Sequence, residues 1–377
     1  MDAIPLSKPY ISKNALLNIT QVLLSGKLSG DGAFCKKVEA RMCTDFSLPN
    51  LLLTSSCTHA LELSAMLVNA KPGDEVIMPS FTFVSTANAF LRAGMKPVFA
   101  DIDSWTLNIS PESIMQKITP RTRTLVVVHY AGVSCDMDAI MAIAKKHNLI
   151  VVEDAAHAIG ARYNGRPLGA IGDIGCFSFH DTKNITSGEG GAICMKDEAL
   201  AARAEILREK GTNRSQFLRG EIDKYTWVDA GSSYILSEIL AAFLDSQLDV
   251  FDFMQAKRKA AHDFYMESLK ECEVKKLLRL PIIPDDCETN YHLFYILLPT
   301  EEKRNAVMKQ LKADGITAPF HYVPLHTSPY GIQLGNKQGD LPITEDLANR
   351  LIRLPLYPDL TQVECEYVVE KLKAALA

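Results

Sequence analysis

Between residues 50 and 200, short apolar runs rich in β-branched residues alternate with longer segments of helical periodicity. Runs at 51–54, 75–78, 97–100, 124–129 and 149–153 are separated by helix-like stretches at 58–68, 85–92, 111–117 and 137–146. Strands that are apolar throughout must be covered on both faces. A helix after each strand supplies that cover and forces parallel pairing. Two further candidate strands, 176–179 and 192–195, complete a doubly wound α/β domain. Beyond it the pattern changes. A helix is expected from 197 to about 210, ended by Gly211, followed by a polar, aromatic-containing loop to about 233. A long helical region, roughly 236–269, then precedes mixed strands and helices at 291–298, 302–314 and 344–353. The KRK run at 257–259 is read as a solvated helix face. With 377 residues and about 150 per domain, two units are expected. These are a large α/β domain at 1–249, its N-terminal segment able to pack with the other unit, and a smaller α+β domain at 250–377.

Charge and composition exclude several classes. Forty Lys+Arg against 45 Asp+Glu give a net charge of −5, which argues against a general nucleic-acid binder. No apolar run reaches the roughly 18 residues of a membrane span, and the N-terminus lacks a signal-like apolar stretch. The nine cysteines are scattered and form no CxxC pair, so reduced thiols in a cytoplasmic protein are expected. Phosphate-loop, zinc-helix, dinucleotide-fingerprint and nucleophile-elbow patterns are absent, and the histidines lack metal-ligand spacing.

Three features of the α/β region belong together. Asp154 ends the buried run at 149–153, at the sheet edge where open α/β folds bind ligands. Taken alone, a strand-end aspartate is more often a helix cap. Lys183 follows the 176–179 run by a few residues and precedes a glycine-rich turn at 188–191. Ser56, Cys57 and Thr58 open a helix after the first strand, where free N–H groups and the helix dipole suit a phosphate. A phosphate cradle, a strand-end carboxylate and a later lysine are what pyridoxal 5'-phosphate (PLP) requires. The lysine forms the Schiff base, and the carboxylate holds the pyridinium proton. Phe83, after the second strand, is placed to cover the cofactor ring.

The segments MPSFTFVSTANAF (78–90), VHYAGVSCDMD (128–138), VVEDAAHAIG (151–160), CFSFHDTKNITSGEGGA (176–192), REKGTNRSQF (208–217), KYTWVDAGSSY (224–234) and HYVPLH (321–326) carry a resemblance that runs nearly end to end. The chain resembles the DegT/DnrJ/EryC1 sugar aminotransferases, PLP enzymes of the aspartate-aminotransferase-like fold type I. The resemblance implies a PLP-binding large domain and a homodimer with shared active sites. It also implies an amino donor, L-glutamate, and a nucleotide-linked keto sugar as acceptor. It makes Lys183 the Schiff-base lysine and proton shuttle and Asp154 the partner of the pyridine nitrogen. His157, where glutamine is common, faces the phenolic oxygen. Ser56, Cys57, Thr58 and Ser178 bind the phosphate. Ser233 stands where an asparagine commonly reaches the phosphate across the dimer interface. The sugar cleft is lined by the turn containing Gly30, by His180, Tyr225 and Trp227, and by His321, Tyr322 and His326. Lys27 and Arg219 suit either a pyrophosphate or the solvated surface, and His129 and His292 are read as satisfying local groups. A dehydratase of the same fold carries histidine at the lysine position, which Lys183 opposes. A non-catalytic regulator on this fold has no need of Lys183, Asp154 and the phosphate loop together.

Overall fold

The computed structural model describes residues 3–377. Two helices, α1 (Ala15–Ser25) and α2 (Ala33–Asp45), precede β1 (Leu52–Thr54). The alternation continues with α3 (Cys57–Val68), β2 (Glu75–Pro79), α4 (Val84–Arg92), β3 (Lys96–Ala100), α5 (Pro111–Lys117), β4 (Thr122–Val128), α6 (Met137–His147) and β5 (Ile150–Asp154). A short ribbon, β6 (Arg162–Tyr163) and β7 (Arg166–Pro167), leads to β8 (Ile174–Ser178) and β9 (Gly191–Met195). The main sheet has seven strands in the order β1-β9-β8-β5-β4-β2-β3. Only β9 runs against its neighbours β1 and β8, and the other six strands share one direction. All seven apolar runs of the sequence are in this sheet, which has the mostly parallel α/β architecture that the resemblance implies.

Burial on both faces explains the apolar runs. Ile77, Leu125, Val127 and Val151 enter one core. Val76, Met78, Val126 and Val152 enter a second core on the opposite face. Successive residues of a strand point to opposite faces, so only an uninterrupted apolar run serves both layers.

After β9 come α7 (Glu198–Arg208), α8 (Arg214–Leu218), α9 (Glu238–Leu248), α10 (Phe251–Val274) and β10 (Cys287–Glu288), which pairs with β6. The chain ends with β11 (Phe294–Leu297), α11 (Glu301–Ala313), α12 (Pro329–Gln333), α13 (Pro342–Arg350), β12 (Leu351–Leu354) and α14 (Gln362–Leu376). β11 and β12 pair antiparallel, Tyr295 opposite Arg353, and a further core gathers Phe294, Ile296, Ile352 and Leu354 with residues of α10, α11 and α14. Ile4 joins that core and bridges to Ile316, so the N-terminal segment crosses to this part of the molecule.

Three expectations change. The helical region at 236–269 is two helices, broken at Asp249–Val250 with no glycine or proline to mark the break. The KRK run is not wholly solvated: Arg258 is 3% exposed and donates to the carbonyls of His292 and Leu356. A short helix, α8, lies within the polar loop.

A buried carboxylate fastens the start of α2 to α9. Glu238, in the first turn of α9, accepts from the N–H groups of Gly32 (3.0 Å), Phe34 (2.9 Å) and Cys35 (2.9 Å). It thereby satisfies donors at the start of α2 that have no helical carbonyl. Close by, a Cβ on Gly30 would stand 2.1 Å from both Ile235 Cγ2 and the Leu236 carbonyl oxygen, so only glycine fits there. Glu238→Gln turns one acceptor into a donor facing an N–H. It should cost about 2 kcal/mol, read as a lower urea midpoint with an unchanged slope.

Candidate active site

A cavity of about 340 Å³ opens at the C-terminal ends of β2, β4, β5 and β8. Its chemistry begins with the alternation of β5. Glu153 points into the protein and accepts from Gly169 N (2.7 Å), Ile171 N (2.8 Å) and Gly172 N (2.5 Å). His129 Nε2 donates to it at 2.8 Å, while His129 Nδ1 accepts from Cys135 N. The next residue, Asp154, therefore faces the other way, into the cavity. Its Oδ2 accepts from Thr86 Oγ1 (2.8 Å) and its Oδ1 from Ala156 N (3.2 Å). Burial raises the Asp154 pKa, although Thr86, Ala156 and Lys183 all favour the charged form.

Lys183 reaches the same cavity from the segment between β8 and β9. Burial lowers the pKa of its amine, outweighing the opposite influence of Cys57 and Asp154. Lys183 and Asp154 thus line one cavity as desolvated groups, the amine shifted toward its neutral form and the acid upward, as functional-site groups often are.

The first turn of α3 forms another wall. Ser56 is the N-cap and spends its acceptor on His59 N (3.1 Å), which leaves the N–H groups of Cys57 and Thr58 without helical partners. Thr58 Oγ1 pairs with Ser85 Oγ at 2.8 Å, and Ser178 enters from the end of β8. A Cβ on Gly191 would stand 2.5 Å from Cys57 N, so the glycine lets β9 lie directly against this helix end.

Imidazoles and phenols line the remaining side. His157 stacks on His292 at 4.2 Å, and His321 stacks on Tyr322 at 3.7 Å. Tyr322 hydroxyl meets His157 Nε2 at 3.3 Å, and Tyr130 hydroxyl meets His321 Nδ1 at 2.8 Å. His157 Nδ1 is buried with no hydrogen-bond partner among the described residues. Phe83, 59% exposed, and His180 are also among the lining residues.

Eleven residues expected at the site thus share one cavity: Ser56, Cys57, Thr58, Phe83, Asp154, His157, Ser178, His180, Lys183, His321 and Tyr322. Others lie elsewhere in this chain. Gly30 is packed against Ile235 and Leu236. Tyr225, Trp227 and Ser233 belong to the loop after α7, where Trp227 is 77% exposed. His326 corrects the sequence reading: it is fully buried, with Nδ1 on Ser80 Oγ (2.7 Å) and Nε2 on Glu345 (2.9 Å). With both ring nitrogens engaged it bolts its segment to β2 and has nothing to offer a sugar. His292 does satisfy a local group, its Nδ1 meeting Asn184 Oδ1 at 2.8 Å, and it also lines the cavity. Thr86 and Arg353 were not anticipated. The one available signal was an arginine inside the apolar run of β12.

The DegT/DnrJ/EryC1/StrS aminotransferase family is matched over residues 9–373. The spore coat polysaccharide biosynthesis protein SpsC of Bacillus subtilis (strain 168) is 36% identical over 379 residues, spanning 98% of this chain and 96% of that protein. Among solved structures, the aminotransferase TlmJ from Streptoalloteichus hindustanus has a TM-score of 0.92 at 30% identity, over 99% of both chains. Helicobacter pylori PseC, an aminotransferase involved in the biosynthesis of pseudoaminic acid, has a TM-score of 0.91 at 27% identity, over 100% of this chain and 99% of that one. The chain belongs to the DegT/DnrJ/EryC1/StrS family and is a PLP-dependent sugar aminotransferase.

The cavity fits that cofactor on its own evidence. It offers a helix N-terminus for a phosphate, a buried acceptor for a pyridinium N–H, a lysine for a carbonyl and an orphaned imidazole nitrogen for a ring oxygen.

Burial holds the pKa values of His157, His292 and His321 well below 6.5. The folded cavity keeps these rings neutral, whereas the unfolded chain protonates them below that pH. Stability is therefore full above pH 6.5 and falls as the pH drops, by up to about 1.4 kcal/mol per pH unit for each ring. His292→Gln should flatten the acid-side decline by about one proton between about pH 5 and 6.5, measured by urea unfolding across that range.

Proposed function

We propose that this enzyme moves the amino group of L-glutamate to the C4 ketone of dTDP-4-dehydro-6-deoxyglucose, giving dTDP-4-amino-4,6-dideoxygalactose for a cell-surface polysaccharide. The observation that carries the amino-transfer chemistry is a buried Asp154 and a desolvated Lys183 lining one cavity. The sugar assignment rests on the segments REKGTNRSQF and KYTWVDAGSSY, which resemble the branch making that product as a precursor of enterobacterial common antigen or O-antigen.

Residue roles follow from chemistry. PLP, when bound, withdraws electrons from the carbon bearing the transferred amine and so acidifies its proton. Lys183 Nζ would take that proton and return it to the carbon on the other side of the shared nitrogen, a task that suits an amine held partly neutral by burial. Asp154 keeps the pyridine nitrogen protonated, and Thr86 and Ala156 N orient the carboxylate. The N–H groups of Cys57 and Thr58, with Ser56 and Ser178, hold the phosphate at the start of α3. His157, whose Nδ1 is unpartnered and whose Nε2 meets Tyr322, would suit the phenolic oxygen, and Phe83 would suit the cofactor face.

The functional unit in this reading is a homodimer acting in the cytoplasm. A large PLP domain at 1–249 is closed by a small domain at 250–377. Exposed apolar side chains on α1, with Leu16 77% and Leu24 84% exposed, support a subunit contact. So does the loop bearing Tyr225, Trp227 and Ser233, where Tyr225 is 50% and Trp227 77% exposed. No helix among the described residues is long and apolar enough to cross a membrane, and the nine cysteines are unpaired.

Lys183→Ala should lose at least about 1,000-fold in transamination rate, and full turnover in that variant would overturn its assignment. Asp154→Ala should bind PLP more weakly and lose about 100-fold or more in turnover, followed by cofactor absorbance and product formation. Incubation with glutamate and a panel of dTDP-, UDP- and GDP-linked 3- or 4-keto sugars, read by NMR, tests the substrate. Exclusive turnover of a UDP or GDP sugar would replace the dTDP assignment.

A further inference from the structure

His292, two residues before β11, forms part of the cavity wall, and only one of its ring nitrogens is engaged by the protein. Nδ1 lies 2.8 Å from Asn184 Oδ1, and Asn184 is the residue after Lys183. The neighbouring amides decide which atom donates. Asn184 Nδ2 donates to the Asn290 carbonyl (2.7 Å) and to Gln255 Oε1 (3.0 Å), and Gln255 Nε2 donates to the same carbonyl at 3.0 Å. A carbonyl only accepts, so both amide NH2 groups must face it, and Asn184 has only its oxygen left for the ring. His292 Nδ1 therefore carries the hydrogen, and the lone pair of the neutral ring stands on Nε2. Nε2 has no hydrogen-bond partner among the described residues.

The surroundings keep this ring neutral. Burial is the largest influence, and Lys183, Arg258, His321 and Arg353 add to it, each disfavouring a charge on His292. Arg258, from α10, also donates to the His292 carbonyl at 3.1 Å. His157, stacked on the ring at 4.2 Å, is held neutral as well, and no carboxylate among the described residues hydrogen-bonds to His292. The cavity thus presents a fixed acceptor on a wall of positive potential.

That combination selects its partner. An ionised carboxylate or phosphate brings only lone pairs, which Nε2 repels. An ammonium enters as another cation beside Lys183 and Arg353. A hydroxyl is neutral and supplies the hydrogen that Nε2 lacks. Of the two substrates in the glutamate-to-sugar reading, only the sugar nucleotide carries hydroxyls. His292 is joined through Asn184 to the residue beside the reacting amine, so the hydroxyl it meets belongs close to the reacting carbon. We infer that His292 accepts a hydrogen bond from the hydroxyl next to the ketone of the acceptor sugar, C3–OH for a C4 ketone, and that Asn184 is the positioning residue that makes the ring an acceptor. This inference deepens the sugar-transamination reading above and rests on it.

The test follows the acceptor half-reaction of the amine-loaded enzyme by absorbance. It uses the keto sugar that the panel identifies and the analogue of that sugar lacking the hydroxyl beside the ketone. With the wild type the analogue should react at least about 10-fold more slowly in second-order rate. His292→Phe keeps a ring against His157 and removes the acceptor. It should slow the intact sugar by a similar factor, more than it slows the donor half read with L-glutamate alone, and the analogue should then lose nothing further. His292→Gln, which can turn an amide oxygen toward the sugar, should recover part of the loss. Long-range proton–nitrogen NMR of the sugar-free holoenzyme with isotope-labelled histidine should show Nε2 of His292 without a proton, the ring being assigned by its absence from either variant. Independent losses in the cycle, a wild type indifferent to the missing hydroxyl, or a protonated Nε2 would each sink the inference. The comparison of the two sugars needs no variant, so it decides the question even where His292→Phe does not fold. A panel that identifies another keto sugar replaces the dTDP assignment and changes only which analogue is used.

Discussion

Desolvation of Asp154 and Lys183 in one cavity is the constraint on which the remaining architecture depends. A carboxylate and an amine cannot be taken out of water cheaply, and the fold prepares each with separate devices. Thr86 and the Ala156 N–H hold the carboxylate, while the turn from His180 to Lys183 carries the amine in from between β8 and β9. Burial shifts the acid up and the amine down, so each is tuned for its own task in the cavity. Stability is given up locally so that chemistry can occur.

The supporting layer lies one residue behind. Glu153 collects three backbone N–H groups from the 169–172 turn and the proton of His129, which ties β4, β5 and the approach to β8 into one rigid edge. Strand alternation then aims Asp154 the opposite way. On the far wall His326 plays a comparable part, bolting the segment that presents His321 and Tyr322 to Ser80 and Glu345. Positions that read as candidate ligands in the sequence can thus be the fastenings of the true ones.

The seven strands were legible because buried parallel strands need apolar side chains on both faces, and that demand leaves an uninterrupted run in the chain. The residues at the strand ends were legible for a related reason. Polar groups such as Asp154 at the end of an apolar run, or Ser56 at a helix start, sit where folds of this kind place their ligands. Helices α1 and α2 were not foreseen. The outer face of α1 is apolar and exposed in the single chain, so its pattern does not divide into core and solvent sides. The break between α9 and α10 left no local signal, since neither glycine nor proline makes it.

The sequence by itself determined the seven strands, the helices between them and the family, because each is written in short runs of the chain. Only the tertiary structure decided which polar groups face the cavity and which are fastened elsewhere. His292 and His326 carry the same side chain, yet one lines the site and the other is consumed by Ser80 and Glu345. Arg353 reaches Lys183 only because β12 pairs with β11 and brings residues about 170 positions apart into one cavity. Burial and partner count are properties of that packing, and they separate a reactive group from a structural one.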